Sequence, residues 1–161
     1  MTSQSDVAET ARVAAVVDAV HRGTALHDAV GVSARAVDSL EQQAYRLYCA
    51  GRFEETAVLA EGIVALDVTR SYPRLLLGDI YAQRDEWARA LKAFEGAMEA
   101  DGESAFAAFK CGDALVRLGE FGRAAPLLAR AIESAEAESS PWLPVAEGLL
   151  NRIESYQSST E

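Results

Sequence analysis

The chain is poor in the residues that most chemistry needs. It has two cysteines and two histidines among 161 residues. Cys49 and Cys111 fall at different places in the pattern described below, neither has a histidine nearby in sequence, and no disulfide framework is suggested. The expectation is a reducing, cytosolic setting, with each thiol acting as a small hydrophobe rather than a nucleophile. His21 and His27 lie six residues apart, near Asp18 and Asp28 but near no cysteine. That is no compact ligand set, so no metal is expected. Gly78, Gly96, Gly102 and Gly112 are too far apart to form a phosphate-binding loop. No cofactor and no catalytic set are expected, and the chain reads as a protein without enzymatic activity.

Positive charge is also scarce. Fifteen Lys and Arg face 25 Asp and Glu, for a net charge of −10, which argues against nucleic acid or an anionic membrane surface as partner. No apolar run is long enough to span a bilayer. Residues Met1 to Thr10 carry Asp6 and Glu9 without a basic residue, so no signal peptide is expected.

What the chain does have is a repeat. Shifted by 34 residues, the sequence returns the same residue types: Ala44, Gly78 and Gly112; Gly51, Asp85 and Gly119; Phe53, Trp87 and Phe121; Thr56, Ala90 and Ala124; Ala60, Phe94 and Leu128; Ile63, Ala97 and Ala131. This period and this small–aromatic–small spacing mark the tetratricopeptide repeat, a helix–turn–helix unit. Small residues on both helices let their backbones approach. Gly51 and Gly119 suit a turn that needs positive φ, and Asp85 tolerates it better than most residues. Acidic residues at the start of each second helix (Glu54 and Glu55, Glu86, Glu120) suit the positive end of the helix dipole.

The expected fold is all-α, a solenoid of three helix pairs over 37–70, 71–104 and 105–138. An N-terminal helical cap over 7–36 precedes them, and a capping helix over 139–157 closes them. Residues 1–6 are expected to be disordered and 158–161 to form a tail. Val13, Val16, Val17 and Val20 set a helical spacing that Gly23 would stop, Gly31 ends a short turn, and Ser33 caps the first repeat helix. Pro126 is expected to delay or kink the last repeat helix, and Pro141 to open the capping helix.

In such a solenoid the first helices line the concave surface. The inward positions are Asp38, Glu41, Gln42, Tyr45, Tyr48 and Cys49 in the first repeat. They are Tyr72, Leu75, Leu76, Asp79, Ala82 and Gln83 in the second, then Phe106, Phe109, Lys110, Asp113, Val116 and Arg117 in the third. Tyr45, Tyr48, Tyr72, Leu75, Leu76, Phe106, Phe109 and Val116 form the candidate apolar lining of a peptide groove. Asp79 and Asp113 share one offset, where they could bind backbone N–H groups or a basic side chain. The competing reading is that some of these aromatics pack against the N-terminal segment or a neighbouring helix and meet no ligand.

Three segments carry a resemblance. "VDSLEQQAYRLYCAGRFEET" resembles the first repeat of the class II chaperones of type III secretion translocator proteins (the SycD/LcrH/IpgC type). It has that family's Leu–Glu–Gln opening, Ala–Gly turn and aromatic–acid–acid helix start. "VALDVTRSYPRLLLGDIY" resembles the family's link between repeats, with Leu66–Asp67 and Leu77–Gly78. "TALHDAVGVS" resembles the segment ahead of the repeats. The resemblance covers about residues 24 to 155. Asp85 in place of a turn glycine, and Pro126, depart from it.

The resemblance implies a cytoplasmic chaperone that keeps membrane-inserting translocators soluble by gripping an extended N-terminal segment in its groove. Tyr45, Tyr48, Leu75 and Phe109 would line the pockets. It also implies homodimers through the N-terminal region in some members and binding of a transcription regulator in others. The residues themselves equally allow a generic tetratricopeptide scaffold or a regulatory subunit.

Overall fold

In a computed structural model, the described residues are 4–22, 25–135 and 140–158. They form eight helices and no strand: α1 (Gln4–Arg22), α2 (Ala34–Cys49), α3 (Phe53–Leu66), α4 (Tyr72–Gln83), α5 (Trp87–Ala100), α6 (Ala105–Arg117), α7 (Phe121–Glu133) and α8 (Leu143–Ser158). The chain divides into two units, residues 1–76 and 77–161, with the division falling inside α4.

In the first unit, α2 packs on α3. Val37, Ala44, Ile63 and Leu76 form the buried centre, with Val32, Leu40, Tyr48 and Leu59 against it. Ser33 caps α2 by accepting from the Ala36 amide, as its sequence position suggests. The turn ahead of it is tied down by two backbone bonds, from Leu26 N (2.7 Å) and His27 N (2.9 Å) to the Leu66 carbonyl. It ends at Gly31 with φ +77°. Helix α1 begins at Gln4, inside the stretch expected to be disordered; Ala8, Ala11, Ala14 and Ala15 make the segment a strong helix former. Residues 1–3, Gly23 and Thr24 lie outside the described residues. Val13 and Val17 on α1 stay exposed, and Ala19 is buried.

In the second unit, α6 packs against α5, α7 and α8, and α7 against α8. Its buried residues include Ile80, Leu91, Phe94, Leu115, Leu128, Leu149 and Ile153. Three chain reversals, one in the first unit and two in the second, share one geometry. Gly51, Asp85 and Gly119 take φ of +72°, +58° and +78°. Their amides donate to the carbonyls of Tyr48, Ala82 and Val116, and the next amides (Arg52, Glu86, Glu120) donate to Leu47, Tyr81 and Leu115, each at 2.9 Å. That pair of bonds is the Schellman ending, which satisfies the last carbonyls of the first helix. Each turn is followed by an ion pair three residues long: Arg52 with Glu55, Glu86 with Arg89, Glu120 with Arg123. The first pair has its charges reversed relative to the other two.

The late start considered at Pro126 is absent, and Pro141 is placed differently from expectation. Helix α7 starts in register at Phe121 and carries Pro126 inside it, with no late start. Buried Ala124, Leu128 and Ala131 hold that helix to its neighbours on both sides of the proline, which outweighs the missing amide bond. Pro141 lies in the turn ahead of α8 rather than in its first helical position. Pro144 occupies the first turn instead, where an amide has no helical partner to lose.

Candidate functional site

The first unit presents an aromatic and acidic cleft of about 510 Å³, lined by Asp38, Glu41, Gln42, Tyr45 and Tyr72. Residues one helical turn apart on α2 share a face, and the start of α4 brings Tyr72 to meet Tyr45. Their rings lie 6.4 Å apart, tilted by 58°. Tyr45 is 53% exposed and Tyr72 37%, so both present apolar area to solvent. The Tyr45 hydroxyl titrates above the ordinary tyrosine range, mainly through its hydrogen bond with Cys49. Tyr48 is half-buried and packs edge-on against Phe53 at 5.6 Å. Leu75 is half-buried. Leu76 lies in the buried centre with Val37, Ala44 and Ile63, and adds nothing to a surface.

Beside this cleft runs an ion network that the repeat columns do not signal. Arg70 reaches Asp67 Oδ2 at 3.0 Å, Asp38 Oδ1 at 2.6 Å and Glu41 Oε2 at 3.4 Å. Burial pushes the Asp67 carboxyl up, but hydrogen bonds from Thr69 and Arg70 outweigh it and hold the group below the usual range. Burial raises the Glu41 carboxyl, and Arg70 only partly opposes that. Its Oε1 is hidden from solvent without a hydrogen-bond partner. His27, also buried, places Nδ1 3.1 Å from the Val32 carbonyl and Nε2 3.8 Å from Asp67 Oδ2.

The second unit gathers the third-repeat candidates on α6. Phe106 and Phe109 lie 6.2 Å apart. Phe109 is only 7% exposed, because Trp142 stacks on it with centroids 5.0 Å apart and planes 17° from parallel. Trp142 also lies 6.1 Å from Phe106. A neighbouring segment therefore covers Phe109 in this structure. The one sequence cue to Trp142 was an aromatic set between Pro141 and Pro144, outside every repeat column.

Asp79 is bound to Lys110 Nζ at 2.7 Å, and Asp113 lies 3.8 Å from Arg117 Nε. Val116 is half-buried and lines a separate cleft of about 370 Å³ with Phe121, Leu149, Ile153 and Tyr156. Cys49 is exposed; Cys111 is buried, which pushes its thiol up to about 12. Among the described residues, no group of three or more His, Cys, Asp or Glu is arranged to hold a metal ion, and no helix is long and apolar enough to cross a membrane.

Residues 74–105 match the tetratricopeptide repeat family, about a fifth of the chain. A comparison with curated proteins finds no match. Among solved structures, the chain is similar to a type III secretion system complex from Aeromonas hydrophila, at 19% identity and a TM-score of 0.80, covering 89% of this chain and 97% of that one. It is similar to the Yersinia enterocolitica type III secretion chaperone SycD in complex with a peptide of the translocator YopD, at 20% identity and a TM-score of 0.71, covering 78% and 97%. It is likewise similar to PcrH, a Pseudomonas aeruginosa protein, in complex with the chaperone-binding region of PopD. That match has 17% identity and a TM-score of 0.71, covering 79% and 97%. The fold, an all-helical arrangement of tetratricopeptide-type pairs, is shared with these proteins.

Proposed function

We propose that this chain is a cytoplasmic chaperone for the membrane-inserting translocator proteins of a type III secretion system. On this reading it keeps them soluble by gripping an extended segment near their N-terminus. The observation that carries the reading is the likeness to SycD and PcrH over nearly their whole length, SycD seen with a peptide of the translocator YopD and PcrH with the chaperone-binding region of PopD. The exposed Tyr45–Tyr72 cleft supports it from this chain's own residues. It offers apolar walls with polar groups at the rim, which suits alternate apolar side chains of an extended peptide. An extended segment loses its conformational freedom on docking, so moderate affinity is expected.

On the first unit, Tyr45, Tyr48, Tyr72 and Leu75 are the candidates for cargo contact; on the second unit, taken by itself, they are Phe106, Phe109, Asp79, Asp113 and Val116. A second copy of the chain is a further partner, docking through the exposed Val13 and Val17 of α1. SycD itself has been described as forming an alternative dimer. Binding to a transcription regulator belongs to the same reading. The function is one of binding, without catalysis.

The test is Tyr45→Ala combined with Tyr72→Ala, titrated with N-terminal translocator segments. Both rings are surface groups, so helix content should stay unchanged while affinity falls at least about tenfold, the size of a lost aromatic anchor. Unchanged affinity would place the segment elsewhere on the molecule.

A further inference from the structure

We infer that Trp142 is an intramolecular stand-in for a partner side chain: its indole covers the aromatic face of α6 until an apolar residue of the partner displaces it. The nature of that partner rests on the chaperone reading above. The cover itself rests on the geometry of the second unit alone.

Phe106 and Phe109 sit three residues apart on α6, so both rings project from one face of the helix. Left open, that face would be a sticky aromatic patch with Lys110 Nζ 5.2 Å from the Phe106 ring centre. The indole of Trp142 closes it, lying almost flat on Phe109 and tilted against Phe106.

Helix α8 does not need this tryptophan for anchorage, since Ala146, Leu149 and Ile153 are its buried residues. The backbone at Trp142 is fixed independently of the indole. Its carbonyl accepts from the Val145 and Ala146 amides at 3.0 and 3.1 Å, and the Leu143 amide donates to Ser140. Rotation about two side-chain bonds therefore uncovers Phe109 without breaking a backbone hydrogen bond. An aromatic stack is worth up to about tenfold in an equilibrium, enough to keep the face closed and little enough for a well-fitting leucine, proline or aromatic side chain to reverse.

The experiment uses the full chain in a Trp87→Phe background, which leaves Trp142 as the only tryptophan, with helix content checked by circular dichroism in every variant. The first readout needs no partner. Trp142→Ala should raise the fluorescence of the apolar dye 8-anilinonaphthalene-1-sulfonate several-fold. Trp142→Phe should leave it at the parent level, and adding Phe106→Ser to Trp142→Ala should return it there. Dye uptake that does not follow Trp142 overturns the inference.

The second readout titrates the chaperone-binding region of PopD, the segment found on PcrH. Trp142→Ala should bind it up to about tenfold more tightly, the worth of the stack being removed. Saturation of the parent should red-shift the Trp142 emission. Binding that is equal or weaker in Trp142→Ala also overturns the inference. Should neither protein bind the segment while dye uptake follows Trp142, the cover stands and the chaperone reading is what fails.

Discussion

Gly78 lies directly beneath the ring of Phe94: a methyl group built on the glycine would come within 2.2 Å of Phe94 Cε1. The same relationship recurs one repeat later, where a methyl on Gly112 would lie 2.7 Å from Leu128 Cδ2. In the first repeat the two columns hold Ala44 and Ala60, both fully buried. The helix pairs thus trade volume across one contact. A large residue on the second helix goes with a glycine on the first, and a small one allows an alanine.

This trade makes a double substitution informative. Gly78→Ala alone should destabilise the second unit by roughly 1–3 kcal/mol through overpacking. Phe94→Ala alone should cost about 3–5 kcal/mol by leaving a cavity. Together they recreate the Ala–Ala pair of the first repeat, so the double variant should lose clearly less than the sum of the two. Denaturant unfolding of the four proteins measures this, and simple additivity would contradict the contact.

The left-handed turn at Asp85 suggests a stabilising change. Asp85 is the only non-glycine residue with positive φ among the described residues, at a position where the other two repeats use glycine. Asp85→Gly removes the steric cost of that conformation, offset in part by greater freedom of the unfolded chain. A gain of about 0.5–1 kcal/mol is expected from the difference, read as a higher denaturation midpoint.

The buried Asp67 carboxylate gives the fold a pH dependence with a definite sign. Its pKa is lowered in the folded chain, so its stabilisation is present above the ordinary carboxylate range and disappears as pH falls through the lowered value. Asp67→Asn should therefore lower stability by about 1–3 kcal/mol at pH 7, the cost of breaking a buried charge-assisted contact. The two proteins should converge as the pH falls below the ordinary range. Glu41, raised by burial, works in the opposite sense: its protonation on acidification favours the fold and partly offsets the loss.

The helix pairs could be read in the sequence because each repeat is a local unit, and six aligned columns fix its turns and contacts. Asp85 illustrates this: its column alone foretold the positive φ. Contacts made outside the columns were less legible. The Arg70 network joins residues about 30 positions apart in sequence, and Trp142 reaches back to Phe109 from beyond the last repeat. For the same reason a groove offset did not guarantee a free surface. Tyr45 and Tyr72 are open, whereas Leu76 is in the core and Phe109 is under an indole. The late start considered at Pro126 is absent because buried residues on both flanks hold α7 across the missing amide bond.

The most direct test of the chaperone reading is co-expression of this chain with each protein encoded beside it, followed by pull-down on the chain. The expected result is recovery, in soluble form, of a protein with long apolar helices that aggregates when expressed alone, and loss of that recovery with Tyr45→Ala and Tyr72→Ala together. Recovery of folded, independently soluble partners only, or of none, would contradict it and leave a tetratricopeptide interaction module.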